Sequence, residues 1–202
     1  MQNEPRADER RAATALIALG ANAPSPIGGP RRTLEAALEH LRGLGSVQVL
    51  RVSAWRDTRA EPPGSGPAFV NAAAALRVEM TADGLLDRLH GIEAALGRPP
   101  RLRDAPRWRP RGVDLDLLDF DGAVLPDQAE VARWMALPDD ACRAQAPAEL
   151  ILPHPRLHRR AFVLDPLSEI APEWRHPLLR RTAAELLSAL PAGAREGVRA
   201  LS

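Results

Sequence analysis

The first half of the chain alternates between two hydrophobic periodicities. A short apolar run from Thr14 to Leu19 ends at Gly20 and predicts a buried strand. Leu34, Leu38 and Leu41 then repeat at helical spacing, and Gly43 and Gly45 close that helix. Val47 to Trp55 and Phe69 to Val78 are both rich in strand-forming residues. The pattern so far predicts a strand, a helix and two further strands.

A second helix and a fourth strand follow. The helix is marked by a stripe of apolar residues, with Thr81 as its N-cap and Gly97 just past its end: Leu85, Leu86, Leu89, Ile92 and Leu96. Val113 to Phe120 reads as a strand, and Asp121-Gly122 as a turn. The order βαββαβ predicts an α+β, ferredoxin-like single domain with extra C-terminal elements.

The domain boundaries follow from where this pattern begins and fades. Residues 1–12 are polar and are expected to be a disordered extension, residues 13–190 to form the domain, and residues 191–202 to be a tail. Residues 126–147 break the pattern and are interpreted as an insertion with one short helix. Ile151 to Pro172 alternates apolar runs with proline, and a helix is expected around Thr182 to Leu190.

Composition narrows the possible partners. With 202 residues, 45% of them apolar, the chain can bury one core, and a net charge of +1 gives no reason to expect nucleic acid or a membrane as partner. All 27 basic residues are arginine, so a phosphate site must use guanidinium groups, backbone N–H groups or metal. The lone Cys142 excludes an internal disulfide. With neither a signal peptide nor a membrane span in evidence, a cytoplasmic protein is expected.

The segment Arg107-Trp-Arg-Pro-Arg-Gly-Val-Asp-Leu-Asp-Leu-Leu118 carries the strongest chemical signal. Asp114 and Asp116 stand two apart on a predicted strand, so both side chains point to one face, about 6.6 Å apart along it. Paired carboxylates suit magnesium, and the surrounding arginines suit phosphate. A lone Asp-x-Asp pair is more often a solvent-exposed strand edge without a chemical role, but the neighbouring arginines favour phosphoryl transfer.

A second motif is Leu152-Pro-His-Pro-Arg-Leu-His-Arg-Arg-Ala-Phe-Val-Leu164. His154 stands between two prolines and is held stiffly, which suits a ligand contact and equally suits a capping role in a loop. The two histidines and three arginines could also form a metal or nucleic-acid patch. No further His or Cys completes a zinc site.

Together these segments resemble the 6-hydroxymethyl-7,8-dihydropterin pyrophosphokinase family. The resemblance runs from about Leu16 to Pro172 and includes Ala-Leu-Gly-Ala-Asn22 and Phe69-Val-Asn-Ala-Ala73 besides the two motifs. It implies transfer of pyrophosphate from ATP to the hydroxymethyl group of a reduced pterin in folate biosynthesis. It also implies two Mg²⁺ ions. A monomer is expected, although the sequence itself does not give the oligomeric state.

The resemblance also implies roles for individual residues. Asp114 and Asp116 would hold the metal ions, and Arg98 and Arg111 would neutralise the transferring group. On the nucleotide side it places Glu93, Trp108, Leu117, His154 and Arg160. Phe69 and Phe162 would sandwich the pterin, and Asn71, which both donates and accepts hydrogen bonds, would read its polar edge.

Four features depart from the family pattern. His90 stands where a Gln-like nucleotide contact is expected, and Pro155 removes a side chain next to His154. The loop from Arg98 to Arg107 is a few residues longer than the family pattern, which leaves open whether Arg101 or Arg103 contacts phosphate. The 126–147 insertion is the fourth departure.

Two other function classes remain as alternatives. A magnesium-dependent nucleotidyltransferase would use the same Asp-x-Asp pair, although the set Phe69, Asn71 and Phe162 speaks against it. A ferredoxin-like binding module would use the acids and arginines as surface ion pairs. A P-loop kinase is excluded because the chain lacks G-x-x-x-x-G-K-[ST].

Overall fold

The computed structural model describes residues 12–59, 66–98, 112–138, 141, 145 and 147–201. Its strands are β1 (Ala13–Ala21), β2 (Val47–Val52), β3 (Arg56–Thr58), β4 (Phe69–Val78), β5 (Asp114–Phe120) and β6 (Val198–Ala200). Its α-helices are α1 (Pro30–Arg42), α2 (Ala82–Ala95), α3 (Gln128–Ala136), α4 (Ala161–Ile170), α5 (Ala183–Ala189) and α6 (Ala192–Glu196). A 3₁₀ turn, Leu157–Arg159, precedes α4.

The strands form one antiparallel sheet in the order β5-β1-β4-β3-β6, with β2 also pairing β4. Strands β1 and β2 lie on either side of β4 and are joined through α1, which is the split βαβ arrangement. The predicted α+β ferredoxin-like fold is therefore confirmed. Among the described residues, no helix is both long enough and apolar enough to cross a membrane.

The sheet has an apolar core on each face. Ile17, Leu19, Leu115 and Leu117 pack with α1 and α2 on one side. Leu16, Ala73, Ala75 and Leu118 pack with α4 and α5 on the other. The strands therefore carry apolar residues on both faces and show little of the alternation expected for a half-buried sheet.

The ends of the predicted helices have local causes. The Thr81 side chain accepts a hydrogen bond from the Gly84 N–H, which caps α2 as predicted, and Gly97 follows with φ of +90°. Thr182 and Glu185 form a reciprocal capping box at the start of α5. The predicted turn after β5 is also present, because Asp121 and Gly122 have φ of +51° and +72°.

Three features differ from the sequence-based expectations. The strand expected from Val47 to Trp55 is shorter, because β2 ends at Val52, and a further strand that was not expected, β3, begins at Arg56. Helix α4 was not predicted because Pro166 stands inside it, at a cost of about 3 kcal/mol. Five other buried apolar residues of α4 offset that cost: Ala161, Val163, Leu164, Leu167 and Ile170. The expected tail contains α6 and β6, and β6 pairs with β3.

His176 is a fully buried imidazole after α4. Its Nδ1 accepts hydrogen bonds from the backbone N–H groups of Leu178 and Leu179, both at 3.2 Å. Its ring lies 6.2 Å from that of His158 and 6.0 Å from that of Trp174. Burial, reinforced by the His158 charge, lowers the pKa of His176 to about 4. Between about pH 4 and pH 6.5, this ring is therefore neutral in the folded protein and protonated in the unfolded chain.

We predict that His176 makes the fold sensitive to acid. Its pKa is lower in the folded state, so its contribution is intact above pH 6.5 and is lost as the pH falls from 6.5 towards about 4. The full difference corresponds to at most about 3 kcal/mol. His176→Asn, whose Oδ1 can replace the Nδ1 acceptor, should lose less stability over this range.

The measurement is chemical denaturation of both proteins between pH 7.5 and 4. The exposed-face variant His40→Asn is the control and should follow the wild type. An unchanged pH dependence in His176→Asn would contradict the prediction.

Candidate functional site

Three neighbouring strands bring Asn71, Gly20 and Asp114 into one row. Gly20 of β1 pairs with Asn71 of β4 on one side and with Asp114 of β5 on the other. Adjacent strands lie about 4.8 Å apart, so Asn71 and Asp114 are separated by about 10 Å across the sheet. Their side chains share the face that packs against α4, because Ala73 and Leu118 of the same strands belong to the α4-side core.

Gly20 keeps the centre of this row open. A Cβ at this position would lie 3.0 Å from the Asn71 Oδ1. Any side chain here would therefore push the Asn71 amide away from its position. The glycine leaves a shallow, side-chain-free strip between the amide and the first carboxylate.

Asp114 and Asp116 lie on the same face of β5, as the sequence predicts, while Leu115 and Leu117 are buried in the core on the opposite face. Arg98, which follows α2, donates from Nη1 to the Asp114 Oδ1 at 2.6 Å and also to the Glu93 Oε1. Burial lowers the pKa of Arg98, but the charges of Asp114 and Glu93 outweigh it and raise the pKa overall. A buried guanidinium thus offsets the repulsion between the carboxylates.

Arg160 and His154 approach the second carboxylate from the loop before α4. The Arg160 Nη1 lies 3.7 Å from the Asp116 Oδ2, and its guanidinium carbon lies 5.6 Å from the centre of the Phe162 ring. The His154 N–H donates to the Leu118 carbonyl at 2.8 Å, which fastens this loop to β5. These contacts bring two segments distant in sequence together at one site.

His154 is held in its neutral form. Burial lowers its pKa to about 4, against the opposing effect of the Asp116 charge. Its Nδ1 accepts a hydrogen bond from the Arg156 N–H at 3.2 Å, so the ring proton is on Nε2. The ring can therefore donate one hydrogen bond from Nε2 to a ligand.

The carboxylate pair fits magnesium. Oxygen ligands on one strand face, partly exposed at 15% for the Asp114 side chain and 30% for Asp116, are the donors that Mg²⁺ prefers. Within the described residues, no group of three or more His, Cys, Asp or Glu side chains is arranged to hold a metal ion by itself. Mg²⁺ does not require one, since it usually completes its shell with water and substrate phosphates.

Two supports of this site were missed by the sequence reasoning. The buried Thr58 Oγ1 accepts a hydrogen bond from the Asn71 Nδ2 at 2.7 Å and so fixes the orientation of the amide. Arg56, in the same row as Asn71, pairs with Asp165 and Glu169 of α4 and ties that helix to the sheet. Only the strand register brings these residues together, so no local sequence pattern marks them.

Glu93 and Leu117 are placed differently from the sequence-based expectation. Glu93 is 4% exposed, and its Oε1 accepts from both Arg98 and the Leu115 N–H, so it supports Arg98 and is not placed as a nucleotide contact. The Leu117 side chain is 4% exposed in the core opposite the carboxylates, which excludes a side-chain contact.

Of the remaining candidates, the structure describes Phe69, Asn71 and Phe162. Phe69 and Asn71 lie on β4, and Phe162 lies on α4, which packs against the same face of the sheet. Trp108 and Arg111, with the loop arginines Arg101 and Arg103, lie outside the described residues.

Comparison of the sequence with a family model and with known proteins gives matches to one family. The model of the 7,8-dihydro-6-hydroxymethylpterin-pyrophosphokinase family matches residues 16–172. A 2-amino-4-hydroxy-6-hydroxymethyldihydropteridine pyrophosphokinase from Methylorubrum extorquens is 38% identical over 161 residues, which cover 79% of this chain and 83% of the relative. The protein of the same name from Pseudomonas aeruginosa is 35% identical over 175 residues, covering 87% and 90%.

Solved structures give the same fold at lower sequence identity. Plasmodium falciparum HPPK-DHPS superposes with a TM-score of 0.61 at 13% identity and covers 90% of this chain. The chain spans 45% of that longer protein, so this likeness concerns the fold alone.

We predict that Glu93→Gln destabilises the protein by about 2–4 kcal/mol, because it removes a buried negative charge beside the Arg98 guanidinium. Urea denaturation measures the loss. Glu35→Gln removes the partner of Arg31 on the exposed face of α1 and should change stability by less than about 0.5 kcal/mol. Equal effects of the two substitutions would contradict the supporting role of Glu93.

Proposed function

The chain belongs to the 7,8-dihydro-6-hydroxymethylpterin-pyrophosphokinase family, and from that premise we propose how its residues carry out the reaction. It transfers pyrophosphate from ATP to the hydroxymethyl group of 6-hydroxymethyl-7,8-dihydropterin, with release of AMP, in folate biosynthesis. The observation that carries the residue assignment is the row of Asn71, Gly20 and Asp114. At one end of this row the Asn71 amide can form hydrogen bonds with a heterocycle, and at the other end the Asp114 carboxylate can bind a cation.

The pterin ring would lie over Gly20, with its polar edge towards Asn71. The amide can donate a second N–H and accept at Oδ1 while Thr58 holds its orientation. Phe69 of β4 and Phe162 of α4 would stack on the two faces of the ring. In this pose the hydroxymethyl group points along the row towards Asp114.

Asp114 and Asp116 would hold two Mg²⁺ ions together with the phosphates of ATP. When bound, these ions would supply positive charge that neutralises the phosphate oxygens. Arg98 and Arg160, each within reach of one carboxylate, are placed to balance charge at the same point, and we assign Arg111 and Trp108 to the nucleotide side as well. Neutral His154 would donate from Nε2 to the nucleotide.

The chemistry then needs positioning more than covalent help. The acceptor oxygen forms a bond to the β-phosphorus, the bond from that phosphorus to the oxygen bridging to the α-phosphate breaks, and AMP departs. The β- and γ-phosphates travel together to the pterin, and the hydroxyl proton is released. We propose that residues 13–190 form the domain that does this, as a monomer in the cytoplasm, where ATP is available.

Product analysis tests this reaction. Wild-type protein with ATP, Mg²⁺ and 6-hydroxymethyl-7,8-dihydropterin should give AMP and the pterin diphosphate, and Asp116→Asn should lower kcat by about 100-fold or more. Asp87→Asn, on the exposed face of α2, is the charge-matched control and should leave the rate unchanged. ADP as product would mean single phosphoryl transfer, and pyrophosphate release would mean nucleotidyl transfer; either result overturns the proposal.

A second prediction concerns the Thr58–Asn71 hydrogen bond. Thr58→Val keeps the shape of the side chain but removes the acceptor, so the amide loses its fixed orientation. We expect KM for the pterin to rise about tenfold, with KM for ATP unchanged. Steady-state kinetics with each substrate varied in turn measures both values. Thr14→Val, on an exposed position of β1, is the control, and a rise in KM for ATP alone would count against the assignment.

A further inference from the structure

The inserted segment is joined to the loop that carries His154 and Arg160. Leu125, just before it, exchanges two backbone hydrogen bonds with Leu152, at 2.8 and 3.0 Å. Val131 and Trp134 of α3 form a small apolar cluster with Ile151. The described part of the insertion therefore packs against the chain immediately before His154.

Arg159 makes a second connection at the other end of the loop. Its Nη2 donates to the carbonyl oxygens of Met135 and Leu137, at 3.0 and 2.9 Å. These carbonyls belong to the last turn and C-cap of α3, where carbonyl groups lack partners within the helix and favour a cation. One guanidinium thus caps α3 and fastens it to the 3₁₀ turn Leu157–Arg159.

The turn that Arg159 holds leads directly into the site. Arg160 is the next residue, and its side chain approaches Asp116 and the Phe162 ring, while Arg159 reaches α3. The Arg160 N–H donates to the carbonyl of Leu157 at 3.2 Å, and Leu157 is fully buried. A shift of the turn would therefore displace the Arg160 guanidinium, and with it a positive charge facing Asp116.

We propose that Arg159 is a positioning residue for ATP binding. By bonding to the end of α3, Arg159 anchors the 3₁₀ turn that carries Arg160. Resting on the proposed function, this inference gives the insertion a role in the same site. Arg159 acts through the backbone of the 3₁₀ turn, so its removal weakens nucleotide binding more than pterin binding. On the pterin side only Phe162 follows the turn, since Phe69 and Asn71 lie on β4.

Binding measurements test whether Arg159 affects nucleotide binding selectively. The probes are α,β-methylene-ATP with Mg²⁺ and 6-hydroxymethylpterin, each titrated calorimetrically into wild type, Arg159→Met, Arg159→Lys and Arg133→Met. Arg159→Met should weaken binding of the nucleotide analogue about tenfold and change pterin binding less than twofold. Arg159→Lys keeps the charge but not the planar fork, so it should weaken nucleotide binding by about threefold. Arg133→Met removes a guanidinium of α3 that pairs with Glu130 and should bind both ligands as the wild type does.

Each outcome decides the proposal. Selective weakening of nucleotide binding in both Arg159 variants supports it. No weakening, or equal weakening for both ligands, overturns it. If Arg159→Met does not fold, the lysine variant carries the test, and wild-type affinity there is a negative result. Turnover of the wild-type protein is measured separately. Absence of the pterin diphosphate there would contradict the proposed reaction, whereas the binding measurements alone decide the role of Arg159.

Discussion

The antiparallel pairing of β1 with β4 and β5 is the constraint on which the site depends. It sets Asn71, Gly20 and Asp114 in one row, although these residues are separated by large stretches of sequence. A one-residue slip of β5 would turn Asp114 and Asp116 into the core and bring Leu115 and Leu117 out. The same apolar packing that fixes the register therefore fixes the positions of the two carboxylates.

Charge balance is the second requirement of this arrangement. Two carboxylates on one strand face repel each other, and the protein offsets this with Arg98 beside Asp114 and Arg160 near Asp116. Buried Glu93 in turn holds Arg98 and accepts from the backbone of β5. The groups that balance this charge therefore also stabilise the edge of the sheet.

Much of this organisation could be predicted from the sequence. The apolar periodicities gave the βαββαβ order, and the spacing of Asp114 and Asp116 placed both on one face. The sequence could not show the hydrogen bond from Asn71 to Thr58 or those from Arg159 to the end of α3, because both contacts join segments that no local pattern connects. Helix α4 was not predicted because Pro166 within it is typical of a helix break. Burial of its apolar face outweighs the cost of the proline.

The central claim is that one row of the sheet aligns the pterin with the carboxylates that hold the cation. Crystals grown with Mn²⁺, α,β-methylene-ATP and 6-hydroxymethylpterin would test it through anomalous scattering from manganese. The account predicts manganese bound to both Asp114 and Asp116, with the ring between Phe69 and Phe162 and its polar edge on Asn71. Manganese bound away from these carboxylates, or a ring outside this strip, would contradict it.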